Sequence, residues 1–190
     1  MPAHPPLYIL RHGETTWNAE GRLQGHFDAP LTKKGIAQAQ AQRRILGARD
    51  LSGFRAISSP QKRALATAAI ALEGWGGDFT TDPALTEVGL GTFAGQDRRT
   101  LMDHHGAEDG FDLYDLAPEG EGLAALRIRC ESFLTQMNVP AVLVTHGITS
   151  RMLRLILLGI EGHDVRRMPG GQGVVFQVEN GQQTLLSEGA

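Results

Sequence analysis

Short apolar runs alternate with longer mixed stretches along this 190-residue chain. The run at residues 7–10, Leu-Tyr-Ile-Leu, is continuous and stops at Arg11, His12 and Gly13. It reads as a buried strand with a polar cluster at its carboxyl end. Residues 141–144, Ala-Val-Leu-Val, repeat the pattern and stop at Thr145, His146 and Gly147. Residues 54–58 read as a further strand and residues 79–81 as a short one. Residues 173–186 read as a hairpin turning at Asn180-Gly181. If the two His-Gly runs are parallel strands of one sheet, His12 and His146 share a rim. In open α/β sheets that rim is where ligands bind.

The mixed stretches predict helices. One starts at residue 31, with Thr32 as cap and Leu31 packing on Ile36. It runs to about Leu46 on a face of Ile36, Ala39, Arg43 and Leu46, and Gly47 is its expected stop. A second covers residues 60–72, with Ser59 as cap and Pro60 at the first helical position. That register puts Arg63 in the first turn and Thr67 one turn on. Two more are expected at residues 123 to about 137 and 148–158. Residues 19–30 have loop composition, and Arg22 and Gln24 there face either a ligand or, more simply, water. Residues 96–117 carry no readable period. A loop lid over the site is their best functional reading. His104-His105 is a poor metal pair for one regular element, and Glu108, Asp109, Asp112 and Asp115 read as a solvated face.

Composition narrows the class. Lys plus Arg number 18 against 21 Asp plus Glu, a formal charge of −3. That argues against a general nucleic-acid or anionic-membrane binder. The one cysteine, Cys130, excludes an internal disulfide and reads as a structural thiol in a helix. No apolar run is long enough to span a bilayer, and residues 1–6 lack the pattern of a signal peptide. A cytoplasmic protein is the expectation. No linker or repeat marks a second domain, so residues 1–190 are expected to form one.

The chemistry at the His-Gly runs suggests an anion. Arg11 offers a fixed fork of donors matched to phosphate oxygens. A neutral imidazole offers a nucleophilic nitrogen. Gly13 and Gly147 allow a sharp turn or a close approach to a ligand. Arg63, at a helix amino terminus, adds to the pull of free N–H groups on an anion. Glu87 lies among Leu85, Val88, Leu90 and Phe93. Apolar burial would keep such a carboxyl protonated; a solvated loop glutamate is the plainer alternative.

These residues carry a recognisable pattern. Leu-Arg-His-Gly-Glu-Thr-Thr-Trp-Asn (10–18), Arg-Leu-Gln-Gly (22–25) and Pro-Leu-Thr-Lys-Lys-Gly (30–35) closely resemble the first motif of the histidine phosphatase superfamily, in its phosphoglycerate-mutase-like branch. Residues 58–67 resemble the second motif, Glu87 with residues 91–95 the third, and Val-Thr-His-Gly (144–147) the last. The resemblance implies that His12 is the nucleophile, taking the phosphoryl group as a phosphohistidine. It implies that Arg11, Arg63 and His146 clamp the phosphate with help from Asn18, and that Glu87 protonates the leaving oxygen and then activates water. Gln24, Gly25 and Gly147 complete the expected substrate-binding set. No metal or organic cofactor is implied.

Two departures bear on the reaction. Gly120-Glu121-Gly122 lacks the serine of the family's usual Gly-Glu-Ser. The segment between Glu87 and His146 is short compared with the cofactor-dependent mutases, which favours a phosphatase acting on a small phosphorylated metabolite. A phosphoglycerate mutase remains the alternative, with Arg98 and Arg99 as a second anion site. A non-catalytic phosphate-binding regulatory module is the reading from another class. The expected fold is a three-layer α/β/α sandwich with a mainly parallel sheet and helices on both faces. Natural substrate and oligomeric state are not readable from the residues.

Overall fold

Alternation along the central strands builds two apolar layers on one sheet. In the computed structural model, which describes residues 4–189, β1 (Leu7–Arg11) sends Leu7 and Ile9 to one layer and Tyr8 and Leu10 to the other. The reading of the first six residues as no signal peptide falls partly on residues 1–3, outside the described ones.

Six strands form one mixed sheet: β1, β2 (Arg55–Ser58), β3 (Phe79–Thr81), β4 (Ala141–Thr145), β5 (Val175–Glu179) and β6 (Gln182–Leu186), in the order β3-β2-β4-β1-β5-β6. The pairs β3–β2, β2–β4 and β4–β1 are parallel, and the C-terminal hairpin adds antiparallel pairs at β1–β5 and β5–β6. The hairpin turns at Asn180-Gly181, both at positive φ (52° and 71°), as a type I′ turn demands.

Helices cover both faces. α2 (Lys33–Gly47) and α3 (Lys62–Ala71) bury Ile45, Leu46, Ala64 and Ala68 against Tyr8, Leu10, Val142 and Val144. α6 (Gly122–Thr135) and α7 (Gly147–Leu157) bury Leu126, Phe133, Ile148 and Met152 against Leu7, Ile9 and Leu143 on the other side. Fully burying each such side chain contributes roughly 1.5–3 kcal/mol. Cys130 is buried in this second layer, and burial pushes its thiol up to about 12, which makes it a packing group. Three short helices complete the chain: α1 (Thr16–Ala19), α4 (Arg98–His105) and α5 (Leu113–Leu116). No helix among the described residues is long and apolar enough to cross a membrane.

Several local expectations change. Thr32 caps α2 as expected, accepting from Gly35 N at 3.0 Å. Ile36, however, is 41% exposed and Arg43 also faces outward, so neither belongs to the buried face. The buried face is Gly35, Ala39, Gln42, Ile45 and Leu46. A backbone contact and a polar anchor turn it. Gly13 and Gly35 meet so closely that a Cβ on Gly13 would collide with the Gly35 carbonyl, and one on Gly35 with the Glu14 carbonyl. Gln42 donates to the carbonyls of Arg11 (2.9 Å) and Val174 (3.1 Å). The closeness that Gly13 permits is therefore to a helix, not to a ligand. The helix also runs through Gly47 and ends on Ala48 without a left-handed glycine.

α3 begins at Lys62, two residues later than expected, and Ser59 does not cap it. Its cap comes from across the fold. Asp28 accepts from Lys62 N at 3.1 Å and Arg63 N at 3.3 Å. The acidic run is not a simple solvated face. Asp115 accepts from Leu123 N at 2.7 Å at the head of α6, while Asp109 and Asp112 pair with Arg166. His104 and His105 end α4, with His105 against Phe93. Among the described residues no group of three or more His, Cys, Asp or Glu side chains is placed to hold a metal.

Candidate active site

β1 and β4 are neighbours in register, with Arg11 opposite Thr145, so their two His-Gly ends emerge side by side. The chain leaves β1 toward α2 on one face and leaves β4 into α7 on the other. The crevice at their carboxyl ends is a topological switch point. His12 and His146 sit in it with ring centroids 5.2 Å apart, both almost fully buried.

The His12 ring is oriented by two contacts. Nδ1 lies 2.7 Å from the Gly13 carbonyl, which only accepts, so Nδ1 carries the proton. Nε2 faces the Nε–H of Arg63 at 3.3 Å and therefore presents a lone pair. Burial, then the Arg11 and Arg63 guanidiniums, hold this imidazole well below its ordinary value. The ring is thus neutral at pH 7, with Nε2 unprotonated and facing Arg63. Gly13 N donates to Thr67 Oγ1 at 3.0 Å, so the two helix positions singled out in the sequence, Arg63 and Thr67, both hold the His12 turn.

Arg63 is fixed on all sides. It donates to the carbonyls of Phe27 (2.7 Å) and Gly25 (2.8 Å) and pairs with Asp28 at 3.0 Å. Gly25 stands at positive φ (51°) with Leu90 against it, and its carbonyl also accepts from Gln61 at 3.0 Å. Gln61 in turn accepts from Glu87 N at 2.8 Å, so one buried amide ties the Arg63 side of the crevice to the acid side.

Glu87 is half-buried and is not walled in by apolar groups as expected. Oε1 accepts from Val88 N, Thr149 N and Thr149 Oγ1, each at 3.1 Å, while Oε2 accepts only from Ile148 N at 3.2 Å. The acid is seated on the amino terminus of α7, where free N–H groups favour an oxygen acceptor. Oε2, with one donor, is the oxygen left free to exchange a proton. Arg129 holds the loop from behind through the Ala84 and Thr86 carbonyls (2.7 and 3.1 Å) and an ion pair with Glu121 at 2.7 Å.

A polar cavity of about 160 Å³ joins these groups; Arg11, His12, Asn18, Gln24, Gly25, Arg63, Glu87 and Gly147 all line it. Asn18 Oδ1 is occupied by Thr15 N (3.2 Å) and Gln172 (3.5 Å), which leaves its amide N–H groups as donors. Gln24 is buried and donates to Thr15 Oγ1 at 2.7 Å, against the simpler expectation that it faces water. Arg11 Nε is buried without a partner, and a side chain at Gly147 would press on its guanidinium. His146 stands behind the cavity wall. Its Nε2 meets Ser59 Oγ at 2.7 Å, and burial, then Arg63 and His12, hold its ring well below the ordinary value. A larger hollow of about 990 Å³ lies at the carboxyl ends of α2 and α3 around Phe54 and Trp75, and none of these groups reaches it.

The sequence reading misses Asp28, Gln61, Tyr114 and Arg151. Asp28 and Gln61 act on residues brought near only by the fold. Tyr114 lies in the segment with no period. Arg151 has a signal, one helical turn beyond Gly147, but reads on its own as a surface arginine.

The chain as a whole is similar to known proteins. The model of the histidine phosphatase superfamily (branch 1) matches residues 7–187. A protein of Enterobacter sp. (strain 638), Probable phosphoglycerate mutase GpmB, is 35% identical, with 96% of this chain and 88% of the relative aligned. The structure of α-ribazole phosphatase from Shigella flexneri superposes with a TM-score of 0.79 at 26% identity, over 97% of this chain and 96% of the other. That of TTHB049 from Thermus thermophilus gives 0.73 at 35% identity, over 96% and 99%. With motif order, sheet topology and the family match in agreement, this chain belongs to the histidine phosphatase superfamily, branch 1.

Proposed function

We propose that this chain is a phosphatase that hydrolyses a small phosphomonoester through a phosphohistidine on His12, without a metal. The observation that carries the reading is the His12 ring: neutral, with an unprotonated Nε2 held only by a long contact from Arg63 (3.3 Å), in a cavity that also holds Glu87. Arg11 and Arg63 bind the phosphoryl oxygens, and Asn18 and Gly147 help to seat them. The Nε2 lone pair attacks phosphorus and the P–O ester bond breaks. The leaving oxygen takes a proton from Glu87. Glu87 then removes a proton from water as that oxygen attacks the phosphohistidine, which releases phosphate and restores Nε2. Positive charge already in place stabilises both transition states. His146, held by Ser59, packs its neutral ring against His12 and positions the nucleophile rather than clamping the phosphate itself.

The name of the GpmB relative supports a second reading, a phosphoglycerate mutase. The name of the Shigella flexneri neighbour supports the phosphatase. A module that only bound phosphate would need neither a free imidazole nitrogen nor an acid beside it. Hydrolysis of p-nitrophenyl phosphate in excess chelator, wild type beside His12→Ala, tests the proposal. The expected outcome is turnover by the wild type and none by the variant. Undiminished turnover by the variant overturns the role of His12. Turnover that needs a 2,3-bisphosphoglycerate primer moves the assignment to the mutase.

A further inference from the structure

Gln61 opens α3, yet its side chain is not spent on the helix. Its carbonyl accepts from Ala64 N (2.9 Å) and Leu65 N (3.0 Å), the usual start of a helix. Capping of the free N–H groups of Lys62 and Arg63 is left to Asp28. The Gln61 amide, 8% exposed, crosses the crevice instead. Oε1 accepts from Glu87 N at 2.8 Å, and Nε2 donates to the Gly25 carbonyl at 3.0 Å. That carbonyl also accepts from Arg63 at 2.8 Å, and Arg63 Nε faces His12 Nε2 at 3.3 Å. One chain of polar contacts thus runs from the backbone of the acid to the nucleophilic nitrogen.

The two ends of this strut do not depend on it equally. Without it Arg63 still has Asp28 and the Phe27 carbonyl, and the Gly25 carbonyl still has Arg63. Glu87 N has no other acceptor among the described residues. Glu87 also lies between two short 3₁₀ turns, Pro83–Leu85 and Gly91–Phe93, so no strand or helix sets its place. We infer that Gln61 is a positioning residue whose length sets where the Glu87 carboxyl stands relative to the ester oxygen of a phosphoryl group on Arg11, Arg63 and His12. This rests on the phosphatase reading of the His12 pocket and assigns a further residue to it. A general acid works only within hydrogen-bond reach of the oxygen it protonates, about 2.6–3.2 Å. A misplacement of about 1 Å costs on the order of 100-fold. Removing the strut therefore weakens protonation of the leaving oxygen while the phosphoryl seat stays in place.

Leaving groups read the difference. p-Nitrophenolate departs without a proton; the more basic phenolate of phenyl phosphate gains from one. Single-turnover kinetics with enzyme in excess follow phosphoryl transfer to His12 for both esters. The ratio of the two rates within one preparation cancels any loss of folded enzyme. Gln61→Met nearly conserves volume and removes both polar atoms. It is expected to slow transfer from phenyl phosphate by roughly 10- to 100-fold and from p-nitrophenyl phosphate by no more than about threefold. Gln61→Asn keeps both polar groups but shortens the strut by one methylene. It is expected to shift the ratio in the same direction, and it decides the matter if Gln61→Met does not fold. In a Glu87→Gln background Gln61→Met is expected to leave the ratio unchanged, because the acid it positions is gone. A wild-type ratio in the deciding Gln61 variant overturns the inference, and so does a shift that persists undiminished in the Glu87→Gln background. A wild type that turns over neither ester, or a His12→Ala variant that turns over both, overturns the phosphatase reading itself and this inference with it.

Discussion

Two carboxylates at the active site, one on the reacting groups and one behind Arg63, can be removed one at a time by substitution. Glu87 is asked to give a proton in the first displacement and to take one in the second. A p-nitrophenolate leaving group needs no proton, but hydrolysis of a phosphohistidine still needs a base. Glu87→Gln is therefore expected to release about one p-nitrophenolate per site in a rapid burst and then to stall. Rapid-quench kinetics read this directly; a linear trace at the wild-type rate would sink the role. Asp28 makes a different case. It touches no substrate in the proposed scheme, yet it caps α3 and holds the Arg63 fork. Loss of the cap alone costs about 1–2 kcal/mol. A loosened Arg63 misplaces both the phosphoryl group and the His12 lone pair. Asp28→Ala is expected to lower kcat/KM by roughly 10- to 100-fold, and more than a purely stabilising residue would at temperatures where the variant stays folded. Melting curves run beside the kinetics distinguish the two contributions.

At the scale of elements, the site depends on a backbone contact that the periodicity of the chain does not announce. The turn after β1 rests on the first turn of α2 through Gly13 and Gly35, with no room for a side chain on either. Gly35→Ala is expected to destabilise the fold by about 1–3 kcal/mol, the usual cost of overpacking, and to lower activity because it displaces the His12 turn. Urea denaturation measures the first effect; an unchanged midpoint would refute the contact. This contact also marks where sequence reading reaches its limit. β1, β4 and their His-Gly ends are legible because a buried parallel strand is an unbroken apolar run. α3 is legible in type but not in start, since its cap is Asp28, far away in the chain. The face of α2 misleads because Ile36 suits an apolar stripe, whereas Gly35 and Gln42 answer to the turn beside them. Residues 96–117 stay opaque because α4 and α5 are too short to show a period: each buries only one or two side chains, Leu101 and then Leu113 with Tyr114, and the turn between them is tied by Asp109 and Asp112 to Arg166.

For the whole molecule, keeping two imidazoles neutral at its centre makes folding depend on pH. His12 and His146 are 2% and 0% exposed, and both are held well below the ordinary histidine value, by burial first and neighbouring arginines next. In the unfolded chain each takes a proton near pH 6.5. Below that pH the unfolded state binds more protons than the folded one. Stability is therefore full above about pH 6.5 and falls as pH drops, by up to ~1.4 kcal/mol per unit for each ring, until the folded rings themselves titrate. The paired carboxylates with lowered values, such as Glu121 beside Arg129, act in the same direction but only in the more acid range where carboxyls protonate. The span from about pH 6.5 to 5 thus belongs to the histidines. Urea unfolding across it is expected to show a steep loss of stability in the wild type. His146→Gln removes one of the two titrations, so the slope should fall by about half whatever the variant's starting stability. Activity should run the other way: with the His12 ring already neutral, kcat/KM for p-nitrophenyl phosphate is expected to show no histidine limb between about pH 7.5 and 6. The same slope in variant and wild type would mean that the central rings do not set the acid sensitivity of the fold.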